Sequence, residues 1–166
     1  MISATIRKAT ENDVEKILEI VNFAILHTTA NYNYEPQTIE VQHEWFLQKQ
    51  QHNFPVIVAE IDGKVVGFGA YGTFREKIGY QFTVEHSVYV SDAFIGKGIG
   101  KLLLSELISL AKKQGLRTMI GAIDAENQDS IAFHEKFGFV KCGVVKDAAF
   151  KFERWLDLQL MQLILK

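Results

Sequence analysis

The sequence contains very little cysteine and proline. Of its 166 residues one is cysteine, Cys142, and two are proline. A single cysteine excludes an intramolecular disulfide framework and any zinc or iron–sulfur site built from several cysteines. The small number of prolines and the lack of a low-complexity run argue against extensive disorder. We expect a protein of the cytoplasm, where disulfides are rare.

The sequence also lacks an excess of charge of either sign and lacks long apolar runs. Its 18 Lys and Arg against 20 Asp and Glu give a net charge of −2. Proteins that bind nucleic acid usually carry a basic excess instead. No apolar run approaches the roughly 18 residues of a membrane span, and charge appears at Arg7 before the apolar core of a signal peptide has formed. We therefore expect a soluble protein that binds neither nucleic acid nor a membrane.

What the sequence does contain is the composition of one globular domain. Hydrophobic residues make up 48% of the chain and charged residues 23%. These fractions are ordinary for a soluble domain, and a chain of this size buries a sizeable core. No internal repeat or linker divides the sequence, so we expect a single domain over residues 1–166.

Hydrophobic spacing predicts an alternation of strands and helices. Thr10 and Thr38 are candidate N-caps of two helices, with Asp13 placed to complete a capping box at the first. Asp62 and Gly63 predict a two-residue hairpin turn. Cys142 lies on a predicted strand and is expected in the core. The predicted strands are 2–7, 54–60, 64–71, 79–90, 118–123, 139–145 and 155–165, and the helices are 10–25, 38–51, 101–114 and 130–137. This order, β-α-α-β-β-β-α-β-α-β-β, predicts a mixed α/β domain.

A glycine-rich turn separates a strand from a helix near the middle of the chain. Gly96, Gly98 and Gly100 stand at every second position, and the helix begins directly after them. Glycines let a ligand approach the backbone, and a helix start offers unpaired N–H groups that suit a phosphate. Two nucleotide-binding motifs do not match here. The dinucleotide fingerprint needs a third glycine where Lys101 stands, and the Walker A loop needs Ser or Thr where Leu102 follows Lys101. A turn that only packs the helix against the sheet is the alternative.

Two motifs carry a resemblance to a known family. The turn from Ile95 to Gly100 resembles the pyrophosphate-binding motif of the GNAT superfamily of N-acetyltransferases, Arg/Gln-x-x-Gly-x-Gly/Ala. The segment from Asn127 to Phe139 is similar to the downstream motif of the same superfamily, Asn-x-x-Ala/Ser-x-x-Leu-Tyr/His-x-x-x-Gly-Phe. Segments 33–38, 80–91 and 150–157 resemble the phosphinothricin N-acetyltransferase branch. The order of elements matches along essentially the whole chain.

The resemblance implies a fold, a coenzyme and an assembly. The fold is an α/β (α+β) domain with a mixed, mostly antiparallel twisted sheet flanked by helices. The coenzyme is acetyl-CoA, without a metal, and the assembly is a homodimer. Ile95 departs from the usual Arg or Gln, and Lys97 or Lys101 is expected to supply the missing positive charge. The implied coenzyme-binding residues are Val88, Tyr89, Val90, Ile95, Gly96, Lys97, Gly98, Ile99, Gly100, Lys101, Asn127 and Ser130, with a simple helix cap as the alternative role of Asn127.

Two side chains are candidates for the proton transfers that acetylation of an amine requires. Glu85 falls where the branch places its proposed base, and a carboxylate in a partly apolar cleft gains a raised pKa. Its alternative role is that of an ordinary exposed glutamate on a strand. His134 falls where many superfamily members place a tyrosine that protonates the leaving thiolate, although a lone histidine also occurs as a packing residue. His86 points to the other face of the strand and is expected to be structural.

The acceptor amine is expected among three loops near residues 32–37, 74–80 and 150–155. The candidate contacts are Tyr34, Phe74, Arg75 and Tyr80. Cations that can hold a substrate carboxylate are Arg75, Lys77, Lys151 and Arg154, with solvated surface charges as the alternative. The branch suggests a small amino-acid-like amine such as phosphinothricin or a methionine sulfone or sulfoximine. Other acceptors (protein N-termini, polyamines, aminoglycosides), a non-catalytic acetyl-CoA sensor and an unrelated phosphate-binding structural domain are the rival hypotheses.

Overall fold

Residues 3–166, which the computed structural model describes, form a seven-stranded sheet and four α-helices. The order of elements is the one predicted, and the first predicted strand begins at Ile2, outside the described residues. The elements are β1 (Thr5–Lys8), α1 (Val14–His27), α2 (Ile39–Gln51), β2 (Val56–Ile61), β3 (Lys64–Thr73), β4 (Thr83–Val90), α3 (Ile99–Lys113), β5 (Thr118–Asp124), α4 (Gln128–Glu135), β6 (Val140–Lys151) and β7 (Arg154–Ile164).

Local signals in the sequence form the expected caps and turns. The backbone N–H of Thr10 donates to Asp13 Oδ2 over 2.7 Å, and a single 3-10 turn then leads into α1. The Thr38 hydroxyl accepts the backbone N–H of Val41 at the start of α2. Asp62 and Gly63 have φ values of 48° and 75°, the left-handed pair that a two-residue hairpin turn between β2 and β3 requires.

The sheet has the order β1-β2-β3-β4-β5-β7-β6, and β4 with β5 is its parallel pair. These two strands align only from Thr83, beside Thr118, to Glu85, beside Ile120. Beyond Glu85 they diverge, because β5 stays paired with β7 up to Asp124 while β4 follows β3 up to Val90. The divergence opens a gap in the middle of the sheet.

Helices cover both faces of the sheet and create two hydrophobic cores. On one face α1 and α2 pack on β2 and β3, and on the other face α3 and α4 pack on β3, β4 and β5. Strand residues alternate between the two cores, which is the reason for the period-two pattern in the sequence. The largest fully buried side chains include Ile17, Ile25 and Phe68 in the first core and Leu103, Leu107, Met119 and Met161 in the second.

The expectation that Cys142 lies in the core is wrong. Its thiol is exposed on β6, because β6 is an edge strand that pairs only with β7 and that helices leave largely uncovered. β6 is also longer than predicted. β4 is shorter, because a 3-10 turn occupies Ile78–Tyr80. Among residues 3–166 the helices are too short or too polar to cross a membrane.

Candidate active site

A cleft of about 1230 Å³ occupies the gap between β4 and β5. Its walls are the second half of β4, the turn before α3, the first turns of α4, β5 and the loop that follows α1. Fifteen of the candidate catalytic, coenzyme-binding and acceptor residues line it: Phe74, Arg75, Glu85, Val88, Tyr89, Val90, Ile95, Gly96, Gly98, Ile99, Gly100, Lys101, Asn127, Ser130 and His134. Lys97, Tyr34 and Tyr80 are outside the lining. Residues distant in sequence therefore converge on one cavity.

The glycine-rich turn presents the N-terminus of α3 to the cleft. Gly96 and Gly98 have φ values of 78° and 82°, which side chains rarely adopt, so the turn requires glycine there. Gly98 is the N-cap and has no side chain to accept the first N–H groups of the helix. The helix start therefore offers backbone donors and the positive end of the helix dipole to an anion. Lys101 lines the same end of the cleft, whereas the Lys97 ammonium lies over the Phe94 ring at 4.8 Å.

Within the described part of the chain, no strand pairs with the edge of β4 beside the gap after Glu85. Val88 and Val90 align with Gly69 and Gly67 of β3 on the other edge only. Backbone groups on the free edge can pair with an extended ligand as another strand would. At the far side of the gap Asn127 caps α4, its side chain accepting the N–H of Ser130 over 3.0 Å. The alternative cap role of Asn127 is thus confirmed, and the residue also lines the cleft.

Glu85 is open to the cleft and has a cationic neighbour. Its cross-strand partner is Gly72, and the Lys49 ammonium lies where a side chain of Gly72 would stand. Lys49 comes from α2 and donates to the carbonyl of Tyr71 over 3.0 Å. Desolvation by the surrounding protein raises the pKa of Glu85, and the charge of Lys49 lowers it. Two opposing effects, burial and the charge of Lys49, therefore set the basicity of the Glu85 carboxylate.

His86 and His134 form a buried pair on the opposite face of β4. His134 Nδ1 lies 2.7 Å from the Ser130 carbonyl, which only accepts, so this nitrogen carries a proton. Its Nε2 lies 3.0 Å from Nε2 of His86. Burial lowers the pKa of both rings, so both are neutral and His86 donates to His134. In this arrangement both nitrogens of His134 are occupied, and His86 Nδ1 is buried without a hydrogen-bond partner among residues 3–166.

The loop of residues 28–34, which follows α1, closes one side of the cleft. Residues of three strands, β4, β5 and β6, hold it through hydrogen bonds. The Thr29 hydroxyl donates to Asp124 Oδ2 over 2.5 Å, and the Tyr89 hydroxyl donates to the Ala30 carbonyl over 3.2 Å. Lys151 donates to the backbone carbonyls of Thr28 and Asn31 in the same segment and of Ile25 in α1. The Tyr34 hydroxyl donates to the carbonyl of Phe150, beside Lys151.

The four predicted cations have different surroundings. Arg75 lines the cleft, its guanidinium 5.3 Å from the centre of the Phe74 ring, and Lys77 is exposed elsewhere. Arg154 pairs with Glu126 over 2.9 Å. The expectation of a solvated or substrate-binding Lys151 is wrong, because its ammonium is buried among backbone carbonyls. Of the four, Arg75 alone borders the cleft.

Several residues that line the cleft, or that lie beside one of its residues, had no recognisable signal in the sequence. Lys49 and Asp124 are ordinary charged residues of a helix and a strand, and Thr29 belongs to a polar loop. Each becomes important only through a partner far away in the chain. Within residues 3–166 no three His, Cys, Asp or Glu side chains are grouped as metal ligands.

Comparisons with known proteins agree with this geometry. The profile of the acetyltransferase (GNAT) family matches residues 15–139. The chain is 41% identical to the L-methionine sulfoximine/L-methionine sulfone acetyltransferase of Salmonella typhimurium (strain LT2), over 96% of this chain and 93% of that protein. The structure of the present chain matches that of an N-acetyltransferase from Staphylococcus aureus Mu50, with a TM-score of 0.97, 46% identity and 99% of each chain covered.

A further solved structure similar to this chain contains a bound coenzyme. It is the GNAT superfamily phosphinothricin acetyltransferase of Sinorhizobium meliloti in complex with AcCoA, with a TM-score of 0.96 and 37% identity over 99% of this chain and 89% of that chain. The predicted resemblance, the mixed and mostly antiparallel fold and the enzyme class are thereby confirmed. The chain belongs to the acetyltransferase (GNAT) family.

Proposed function

We propose that the protein transfers the acetyl group of acetyl-CoA to the primary amine of a small amino-acid-like acceptor. One observation carries this proposal: the free edge of β4 runs, within a single cleft, from Glu85 to the glycine-rich N-terminus of α3. A carboxylate that can accept a proton and a site for phosphates are therefore joined by a track of unpaired backbone. The similar proteins named above act on methionine sulfoximine and sulfone, or are named phosphinothricin acetyltransferases.

The residues present fit a coenzyme made of a pyrophosphate and an extended arm. Backbone donors from Gly98 to Lys101 suit the pyrophosphate, and Lys101 adds a positive charge in place of the Arg or Gln that Ile95 replaces. Val88 and Val90 on the free edge of β4 suit the amide groups of the pantetheine arm. Asn127 and Ser130 border the same space from α4. We retain Gly96, Lys97 and Ile99 as neighbours of this phosphate site.

Glu85 is proposed as the base. An ammonium has no lone pair, so the acceptor must lose a proton before it can attack, and a carboxylate with a raised pKa accepts one near neutral pH. Acetyl-CoA supplies an acetyl group activated as a thioester. The backbone N–H of Val88 or Tyr89 is proposed to donate to the carbonyl oxygen of that group, where negative charge develops. Residues of β4 would thus both remove the proton of the acceptor amine and stabilise the negative charge on the carbonyl oxygen.

The proposed role of His134 as proton donor to the thiolate needs a change in its hydrogen bonds. Its Nε2 accepts from His86, and its Nδ1 donates to the Ser130 carbonyl. Donation to a thiolate requires a proton on Nε2, which burial of the ring opposes. The acid role of His134 therefore requires that His86 releases Nε2 when the coenzyme binds.

The acceptor is proposed to bind between the 28–34 loop and the segment that carries Phe74 and Arg75. Arg75 is the cation of the cleft rim beside Phe74 and can pair with a carboxylate, sulfone or phosphinate oxygen. Tyr80 packs against Phe74 with ring centroids 5.8 Å apart and so supports that ring from behind. Tyr34 fixes the opposite rim through its hydrogen bond to the Phe150 carbonyl.

We further propose a cytoplasmic homodimer. The edge strand β6 and the turn that follows it expose large apolar side chains, and such a surface favours association. The exposed single cysteine suits a reducing compartment. Sedimentation of the purified protein measures the mass directly, with a value of twice the 18.8 kDa chain expected. The exposed apolar residues are Val140, Val144, Val145 and Phe150 on β6, Phe152 in the turn, and Trp155 at the start of β7.

A thiol-release assay with acetyl-CoA tests the function and the acceptor together. Methionine sulfone, methionine sulfoximine and phosphinothricin are expected to support turnover, whereas a peptide N-terminus, spermidine and an aminoglycoside are expected to give little. Turnover only with the second group would move the acceptor to another class. Binding of acetyl-CoA by calorimetry without turnover would make the protein a sensor, and absence of binding would refute the proposal.

A pair of glycine variants tests the phosphate site in the same calorimetric experiment. Gly98 and Gly63 both have left-handed φ values, 82° and 75°, and a Cβ would meet no atom within 4 Å at either position. Gly98→Val and Gly63→Val therefore strain the backbone alike, but only the first places a side chain at the helix start. We expect Gly98→Val to raise the Kd of acetyl-CoA by about tenfold or more and Gly63→Val to leave it unchanged. Equal Kd values of acetyl-CoA in the two variants would show that the glycine-rich turn does not bind the coenzyme.

A further inference from the structure

Lys151 has surroundings that are unusual for a lysine. Its side chain lies at the end of β6 and is only 4% exposed. The ammonium donates to the carbonyl of Ile25 over 2.6 Å, of Thr28 over 2.8 Å and of Asn31 over 2.5 Å. We propose that Lys151 is a positioning residue that holds the 28–34 loop in the shape that binds the acceptor amine.

The chemistry of an ammonium explains why a lysine stands at this place. Its three N–H donors match three carbonyls that converge on one point, and no donor is left over. Ile25 belongs to the last turn of α1, and Thr28 directly follows that helix. Carbonyls at a helix C-terminus have no partner within the helix and carry partial negative charge. Lys151 therefore satisfies the end of α1 and the start of the loop together, which offsets the cost of burying its charge.

The hairpin turn beside Lys151 is strained and fixed on both sides. Phe152 and Glu153 have φ values of 52° and 60° although neither is glycine. Such residues persist where the surrounding structure determines their conformation. Lys151 anchors one side of the turn to the loop, and Arg154 anchors the other side through its ion pair with Glu126. The tip of the β6–β7 hairpin is therefore a fixed support for the loop.

The loop leads from Lys151 to the cleft. Thr29, Ala30, Asn31 and Tyr32 line the cleft, and the carbonyl of Asn31 is one of the three that Lys151 holds. The other ties, Thr29 to Asp124, Tyr89 to Ala30 and Tyr34 to the Phe150 carbonyl, are single hydrogen bonds. Lys151 thus joins the loop to both α1 and β6. Its effect on acceptor binding rests on the proposed function, whereas its effect on the loop does not.

Steady-state kinetics of Lys151→Met, which keeps the length of the side chain and removes its donors, test the proposal. We expect KM for the acceptor to rise by about tenfold or more, because a displaced loop misplaces its contacts. KM and Kd for acetyl-CoA stay at their wild-type values. Lys151→Arg does not restore the acceptor KM, since a planar guanidinium cannot direct three donors to one point as an ammonium does. Lys146→Met, an exposed lysine of the same strand, is the matched control and behaves as wild type.

Hydrogen exchange gives a readout that does not depend on turnover. In Lys151→Met the amides of residues 28–34 are expected to exchange faster, while those of α3 keep their protection. Unchanged exchange in the loop, or equal changes in both Michaelis constants, would overturn the proposal. If Lys151→Met shows faster exchange in the loop but the wild-type protein acetylates none of the acceptors, only the proposed function is refuted and the role of Lys151 in holding the loop stands. If Lys151→Met does not fold, Lys151→Arg decides the matter, because it keeps the charge but cannot direct three donors to one point. An unchanged acceptor KM and unchanged loop exchange in Lys151→Arg would overturn the proposal.

Discussion

Glu85 and His86 are neighbours on β4, and the two faces of that strand treat them in opposite ways. Glu85 opens into the cleft on the face covered by α1 and α2, with Lys49 as its charged neighbour. His86 is buried on the face of α4, against His134 and at 5.7 Å from the Phe139 ring. Burial raises the pKa of the carboxyl towards neutrality and lowers that of the imidazole away from it. One residue is thereby prepared to exchange a proton and its neighbour is kept neutral.

The difference arises from what covers each face and not from the residue types. Histidine is the side chain whose ordinary pKa lies closest to neutral pH, yet here the pair of rings is packed over Gly121 and already hydrogen-bonded. Glutamate titrates well below neutral pH in water, yet in the cleft it becomes the better base. The pKa values of Glu85 and of the two histidines therefore depend on where each side chain lies relative to the gap between β4 and β5.

The largest expected effect comes from Glu85→Gln, which keeps the shape of the side chain and removes its basicity. We expect kcat/KM for the acceptor to fall by about 10²–10⁴-fold, the usual contribution of a positioned base. The Kd of acetyl-CoA and the urea midpoint of unfolding stay near wild type, since the carboxylate makes no hydrogen bond that holds the fold. Glu15→Gln, at an exposed glutamate of α1 outside the cleft, is the control and retains full activity. Normal turnover of Glu85→Gln would mean that Glu85 is not the base, and the two faces of β4 would then not differ in their part in catalysis.

The sequence predicted the elements well because their signals are local. The Asp62–Gly63 turn, the Thr38 cap and the glycines at 96 and 98 each act within a few residues of their own position. The family motifs also identified most of the cleft lining. Cys142 was misplaced because an edge strand and a central strand have similar short-range patterns.

The partners of the charged residues were not predictable in the same way. Lys151 contacts carbonyls more than a hundred residues earlier in the chain, and Lys49 approaches β4 from a helix that precedes it by two strands. Neither lysine differs in its local sequence from a solvated one. Such contacts depend on how the elements pack, which local sequence patterns do not reveal. The pairing of His86 with His134 across 48 residues was missed for the same reason.

On the buried face the sharpest test is Gly121→Val. A Cβ at Gly121 would lie 3.3 Å from the His134 ring and 3.4 Å from the His86 ring, so the branched side chain must displace both. We expect a loss of about 1–3 kcal/mol in the free energy of unfolding, measured by urea denaturation, as is usual for overpacking. Gly143→Val is the control, because Gly143 lies on β6 with no atom within 4 Å of its Cβ position. Equal stability of the two variants would show that the histidine pair is not tightly packed.

The smallest expected effect concerns the tuning of Glu85 by Lys49. The positive charge favours the carboxylate, so it lowers the pKa of Glu85 against the opposite effect of burial. Lys49→Met removes the charge, and the pKa of Glu85 rises further. The acid limb of kcat/KM against pH is therefore expected to move to higher pH by about one unit, with the plateau rate nearly unchanged.

The other titratable groups near Glu85 do not obscure this shift. Tyr89 lies on the same face of β4, and burial raises its pKa, so it stays neutral over the acid limb. His86 lies on the opposite face and is neutral as well. Lys49→Arg restores the charge and is expected to return the limb to its wild-type position. A limb that stays in place in Lys49→Met would mean that desolvation alone sets the pKa of Glu85 and that the charge of Lys49 has no part in it. A limb that moves to lower pH would contradict the direction assigned to the effect of Lys49.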